Sequence, residues 1–121
     1  MRTKVSKAQK ALYLDVKRWA VGQDVCQEVI FPWALGPSGA GYRYDIVVPA
    51  LKLIVEYDSL LHSEYSKHFH HSKQGFLEVQ LRDQIKDKLA EKYGWKLIRV
   101  DERAPEGGLL VRREIERRNG H

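Results

Sequence analysis

Sulfhydryl chemistry is almost absent from this sequence, which holds one cysteine, Cys26. That excludes an internal disulfide and a zinc site of the multi-cysteine kind, and it fits a reducing, cytoplasmic setting. Also missing is any run near the roughly 18–20 apolar residues that a membrane span requires, so no membrane partner is expected. The N-terminal stretch Met1-Arg2-Thr3-Lys4-Val5-Ser6-Lys7 is basic, but an amphipathic segment follows it, which makes it a poor signal peptide. Repeats, low-complexity tracts and linkers are lacking too.

What is present suits one folded unit. At 121 residues the chain is expected to form a single domain, 1–121, because a second would be starved of core. Hydrophobic residues make up 43%, enough for one core and outside the disordered range. Lys and Arg number 21 against 16 acidic residues, a formal charge of +5. A basic balance favours a polyanionic partner through charge steering and counterion release.

The patterning alternates helices with strands. Ser6 and Gln9 form a capping-box pair ahead of a helix to Ala20, with Ala8, Leu12, Val16 and Trp19 as its apolar stripe. Gly22 is a natural stop. Val25 to Phe31 is β-prone and limited by Pro32, and Gly36 to Gly41 is a loop. Tyr42–Val48 and Leu51–Tyr57 predict two strands joined through Pro49-Ala50, the second apolar enough to be covered on both faces. A helix from Leu77 to Tyr93 carries Leu81, Ile85, Leu89 and Tyr93 every four residues, and Gly94 sits at its C-cap. A strand from Trp95 to Val100 and a helix from Leu109 to Arg118 complete an α/β sandwich around one mixed sheet.

Into this apolar pattern the chain places acids. Residues i and i+2 of a strand share a face, so Glu56 and Asp58 project together where their strand ends. If the two strands form an antiparallel hairpin, Asp45 faces them across one sheet edge. Three converging carboxylates repel one another and call for a cation; oxygen ligands with open positions favour Mg²⁺ or Mn²⁺. Such an ion polarises a phosphodiester and acidifies a bound water. The Tyr57 carbonyl could add a ligand, and His62, titrating nearest neutrality, could move a proton.

The segments Tyr44-Asp45-Ile46-Val47-Val48-Pro49 and Leu53-Ile54-Val55-Glu56-Tyr57-Asp58, with His62, resemble the PD-(D/E)XK nuclease superfamily. The resemblance is nearest to the branch of very-short-patch-repair endonucleases and phage homing nucleases. Arg82-Asp83, Leu89 and Gly94-Trp95-Lys96-Leu97-Ile98-Arg99-Val100 resemble that branch's ending, so the likeness runs from about Glu28 to Val100. It implies a restriction-endonuclease-like αβββαβ core, with a central mixed sheet flanked by helices. Asp45 would be the principal metal ligand, Glu56 the second acid, the Tyr57 carbonyl a further ligand and His62 a base. Glu28 and Asp83 match further acidic positions. The sequence departs from the superfamily where its lysine, two residues after the glutamate, is Asp58; Lys86 could supply a migrated charge. Ser59 replaces an expected glycine, and the branch's zinc-binding cysteines are absent.

The expected activity is therefore divalent-metal-dependent DNA endonuclease chemistry, with metal ligands from Asp45, Glu56, Tyr57 and Asp58 and catalytic roles for these acids, His62, Glu28 and Asp83. Its rivals are an inactive nuclease-like module that grips nucleic acid and a structure-specific nuclease acting on branched DNA or RNA. A domain this small would need a homodimer or an accessory protein for sequence specificity, and would suit a phage-encoded enzyme acting in the host cytoplasm. His68, His70 and His71 read as a polar loop, with Lys67, Lys73, Tyr65 and Phe69 able to touch a strand. Trp19, Trp33 and Trp95 read as core or core edge.

Overall fold

Helix α1 (Lys7–Trp19) starts where the sequence predicts, in a computed structural model that describes residues 6–58, 73–101 and 106–120. Ser6 Oγ accepts the Gln9 backbone N–H at 3.1 Å, one half of the capping box. The other half does not form, because the Gln9 side chain turns instead to Glu28 Oε2 at 3.4 Å. Strands β1 (Cys26–Leu35), β2 (Gly41–Val48) and β3 (Leu53–Asp58) follow, then α2 (Lys73–Lys92), β4 (Lys96–Asp101) and α3 (Glu106–Arg118). The chain is thus α/β, with three helices and a four-stranded mixed sheet among the described residues.

The sheet order is β1-β2-β3-β4. β1 and β2 are antiparallel, as are β2 and β3, while β4 runs parallel to β3. Each face carries a core. On one, Leu12 and Val16 of α1, Ala20 at its C-cap, and Val111 and Ile115 of α3 pack on Ile46, Val48, Leu53 and Val55. On the other, Ala90 of α2 joins Tyr44, Val47 and Ile54, with Phe31, Trp33 and Trp95 packed alongside. Covered from both sides, Leu53, Ile54 and Val55 are fully buried, as their unbroken apolar run predicts. All three tryptophans pack against these clusters.

Two sequence expectations are corrected. Pro32 does not end β1, which continues to Leu35 with a register irregularity between Ile30 and Leu35. Among the described residues β1 is an outer strand, and an outer strand tolerates a residue with no N–H to donate. The second concerns α2. Its stripe at Leu81, Ile85, Leu89 and Tyr93 is not the packing face, since Leu81 is 56% exposed and Tyr93 42%. The buried residues are Phe76, Lys86 and Ala90. A lysine lies inward because β3 presents it with a carboxylate, a partner that apolar periodicity cannot register.

The turn from α2 into β4 uses Gly94 at φ 83°, with Trp95 N–H returning to the Ala90 carbonyl at 2.9 Å. A Cβ built there meets nothing within 4 Å. Gly94→Ala is therefore expected to destabilise through backbone strain alone, by about 1 kcal/mol. Gly94→Asn should cost less, as urea unfolding of the two variants would show.

Candidate active site

Where β2 and β3 part, two acids take over from the ladder. The register runs Val48↔Leu53, Val47↔Ile54, Ile46↔Val55, which sets Asp45 opposite Glu56. There the side chains replace the interstrand bonds. Asp45 N–H donates to Glu56 Oε2 at 2.6 Å, and Tyr57 N–H donates to Asp45 Oδ2 at 2.8 Å. Each carboxylate thus satisfies a backbone donor of the opposite strand and is held rigidly beside the other.

The phase of β2 changes at the same place. Ile46 and Val48 belong to the core under α1 and α3, but Tyr44, of the same parity, belongs to the core under α2. The alternation slips by one residue at Asp45. On β1 the residue between the pairs Gln27↔Ile46 and Val29↔Tyr44 is Glu28, at φ 53°. A left-handed non-glycine residue inside a strand is a local strain of the kind that clusters at functional sites.

Helix α2 brings the counter-charge. Lys86 Nζ donates to Glu56 Oε1 at 2.5 Å and to the Arg43 carbonyl at 2.6 Å. It also lies 4.9 Å from the centre of the Tyr44 ring, whose hydroxyl donates to the Lys86 carbonyl at 2.9 Å. Glu56 is 3% exposed and Lys86 7%, so the pair is desolvated and each end depends on the other. From β4, Arg99 reaches Glu56 Oε1 at 3.8 Å and Asp83 Oδ1 at 3.8 Å, and it hydrogen-bonds Asp87. Burial works against the Arg99 charge, but Asp87, Asp83 and Glu56 outweigh it and hold its pKa above the ordinary value.

Asp45 is the strained charge of the group. Burial first, and the Glu56 carboxylate second, raise its pKa to about 7, with Glu28 adding to the rise. The Tyr57 N–H and the Lys86 ammonium pull the other way. Because the folded pKa stands above the value of 3.8 for a free side chain, folding favours the protonated form. The stability this gives is complete below pH 3.8 and is lost as pH rises through about 7. Metal-free protein is therefore expected to lose part of its stability between these limits, and Asp45→Asn to flatten that segment of a melting-temperature profile against pH.

Of the residues singled out from the sequence, Asp45 and Glu56 are brought together and Glu28 lies across from Asp45. Asp83 enters through Arg99. Asp58 is half-buried, two residues beyond Glu56 and across the parallel ladder from Asp101. Among the described residues no three His, Cys, Asp or Glu side chains are gathered so as to hold a metal ion by themselves. His62 lies outside the described residues, as do Tyr65, Lys67, His68, Phe69, His70 and His71. The sequence reading missed Arg99 as a member of the site. Its signal was a lone cation in the otherwise apolar run Leu97-Ile98-Arg99-Val100.

The donor set does suit a hard divalent cation. Mg²⁺ is commonly held by one or two carboxylates together with water and substrate phosphate, and Asp45 carries a charge its surroundings do not fully offset.

No protein-family model matches the chain. No solved structure matches it either. Over 56 residues it is 38% identical to uncharacterized protein 307L of invertebrate iridescent virus 6, a stretch of 46% of this chain and 28% of that protein. The chain thus spans little more than a quarter of the viral relative. No helix among the described residues is long and apolar enough to cross a membrane.

Proposed function

We propose that the protein is a divalent-metal-dependent endonuclease that hydrolyses phosphodiester bonds in DNA. The observation that carries this reading is the hydrogen-bonded Asp45–Glu56 pair at the fork between β2 and β3, Glu56 buried and Asp45 half-buried, with the Lys86 ammonium on Glu56. The order αβββαβ of the first six described elements, which the resemblance to PD-(D/E)XK nucleases implies, adds support.

Asp45 and Glu56, with the Tyr57 carbonyl, are the residues that would hold Mg²⁺ or Mn²⁺. Bound there, the ion would polarise the phosphodiester and lower the pKa of a water. Lys86 performs two tasks in this scheme. It neutralises Glu56, so that the pair does not carry two unopposed charges in a desolvated place. An ammonium has three donors, and two are directed to Glu56 and the Arg43 carbonyl. The third would turn to an oxygen of the attacked phosphate, where negative charge builds up. The lysine that the superfamily places on the strand would thus arrive from α2, and Asp58 would stand where that lysine is missing. Arg99 positions Glu56 and joins it to Asp83. His62 is the sequence's candidate for the leaving-group proton.

A nucleic-acid-binding module without cleavage is favoured by one detail: both oxygens of Glu56 already accept hydrogen bonds. Incubation of supercoiled plasmid and of branched and single-stranded oligonucleotides with Mg²⁺, Mn²⁺ or EDTA decides between them. Nicking or linearisation that EDTA abolishes supports the nuclease. Retarded but intact DNA under every condition sinks it in favour of the module.

A further inference from the structure

Among the clefts on the α2 side of the sheet, two of about 270 Å³ each share lining residues. One is lined by Arg43, Arg82 and Lys86, and so borders the acidic pair. The other is lined by Pro37, Leu81 and Ile85, with Glu78 among them. Tyr42 and Arg82 line both, so the two clefts adjoin, and together they are a groove with a cationic part and an apolar part. Here the misplaced stripe of α2 has a use: Leu81 and Ile85 face the groove and not the core.

The charge in the cationic part is available. Among the described residues Arg82 forms no ion pair, and Arg43 meets Glu28 only at 3.9 Å. The tip of the Tyr42 side chain lies close to Gly36, where a Cβ would stand 2.8 Å from Cζ and Oη, and the ring packs against the core under α2. A ring packed against the core has little entropy left to lose on binding. A matching ligand has an anion that suits a guanidinium fork and, one short arm away, a flat body that suits an aromatic ring. Glu78 in the apolar part disfavours a second phosphate there.

We propose that this groove holds one unpaired nucleotide of a single-stranded nucleic acid, its phosphate on Arg43 and Arg82 and its base on Tyr42, Leu81 and Ile85. A base within a duplex has both faces stacked and could not enter. That the bound phosphate neighbours the scissile one rests on the nuclease reading; the binding itself does not. The substrate class is then a single strand, or a flap or junction offering one.

The test is fluorescence anisotropy in EDTA with a short fluorescein-labelled oligodeoxyuridylate, the corresponding oligouridylate and a duplex. Both single strands are expected to bind more tightly than the duplex, and the stronger of them identifies the preferred sugar. Tyr42→Ala and Arg82→Ala should each raise Kd about tenfold. Tyr42→Phe, which keeps the ring, should stay near wild type, and Arg82→Ala should lower the salt slope by about one. Folded variants that bind like wild type, or a duplex bound as well as a single strand, would overturn the proposal. Wild-type binding lost in these variants without cleavage in Mg²⁺ would sink the nuclease and leave the groove. Cleavage lost in Asp45→Asn, with groove variants binding normally, would do the reverse.

Discussion

Asp45→Asn is expected to reduce metal-dependent cleavage by about a thousandfold, the scale on which a lost electrostatic stabiliser compounds with weakened metal binding. The same substitution should leave the fold at least as stable as before. An asparagine oxygen can still accept the Tyr57 N–H that Asp45 Oδ2 takes at 2.8 Å. The charge it removes is one that burial and Glu56 oppose, to the extent of a pKa near 7. At pH 8 wild-type protein keeps that charge against its surroundings, and the amide does not have to. Melting without metal at pH 8 should therefore place the variant level with or above wild type, while at pH 5, where Asp45 is already protonated, the two converge. Added Mg²⁺ should raise the wild-type midpoint and not the variant's. A variant that cuts as wild type does would remove Asp45 from the mechanism.

Lys86→Met should act in the opposite sense, with both stability and activity lost. Removing one partner of a buried ion pair strands the other, an effect of about 3–5 kcal/mol. Here the stranded group would be Glu56, 3% exposed and left with Arg99 at 3.8 Å as its nearest remaining cation. The Arg43 carbonyl would lose its donor as well. Combining Lys86→Met with Glu56→Gln should recover much of the stability, since position 56 then carries no charge to strand, yet restore no cleavage. Chemical denaturation of the two single variants and the double variant measures the coupling directly. If Lys86→Met unfolds at the wild-type midpoint, the ammonium does not hold Glu56 in solution.

Much of this arrangement was legible in the chain. The β-branched runs at 42–48 and 51–57 predicted the hairpin, and the hairpin brought Asp45 to Glu56. Ser6, Gly22 and Gly94 marked helix ends that are present, with Gly22 at φ 84° and Gly94 at φ 83°. Two things were hidden, for related reasons. Pro32 suggests a strand end only to a reader unaware that its strand is an outer one. The periodicity of α2 makes Lys86 a solvated residue, because the carboxylate that draws it inward lies 30 residues away in sequence, and only the family resemblance pointed to it as a migrated charge. Local patterns report what a segment prefers by itself. Partners supplied by the tertiary fold decide which face is finally covered, and they inverted the expected burial of α2. The phase slip at Asp45 belongs to the same class, since it depends on the backbone of Glu28 in the next strand.

Pro32 has an effect beyond the site. Among the described residues β1 is an outer strand and exposes Ile30 and Leu35, and apolar side chains on an outer strand invite another chain to add itself. Proline between them breaks the rail of amide donors, and the irregular register there bends it further. Open-ended β-stacking from copy to copy, the route to fibrils, is disfavoured along this margin of the sheet.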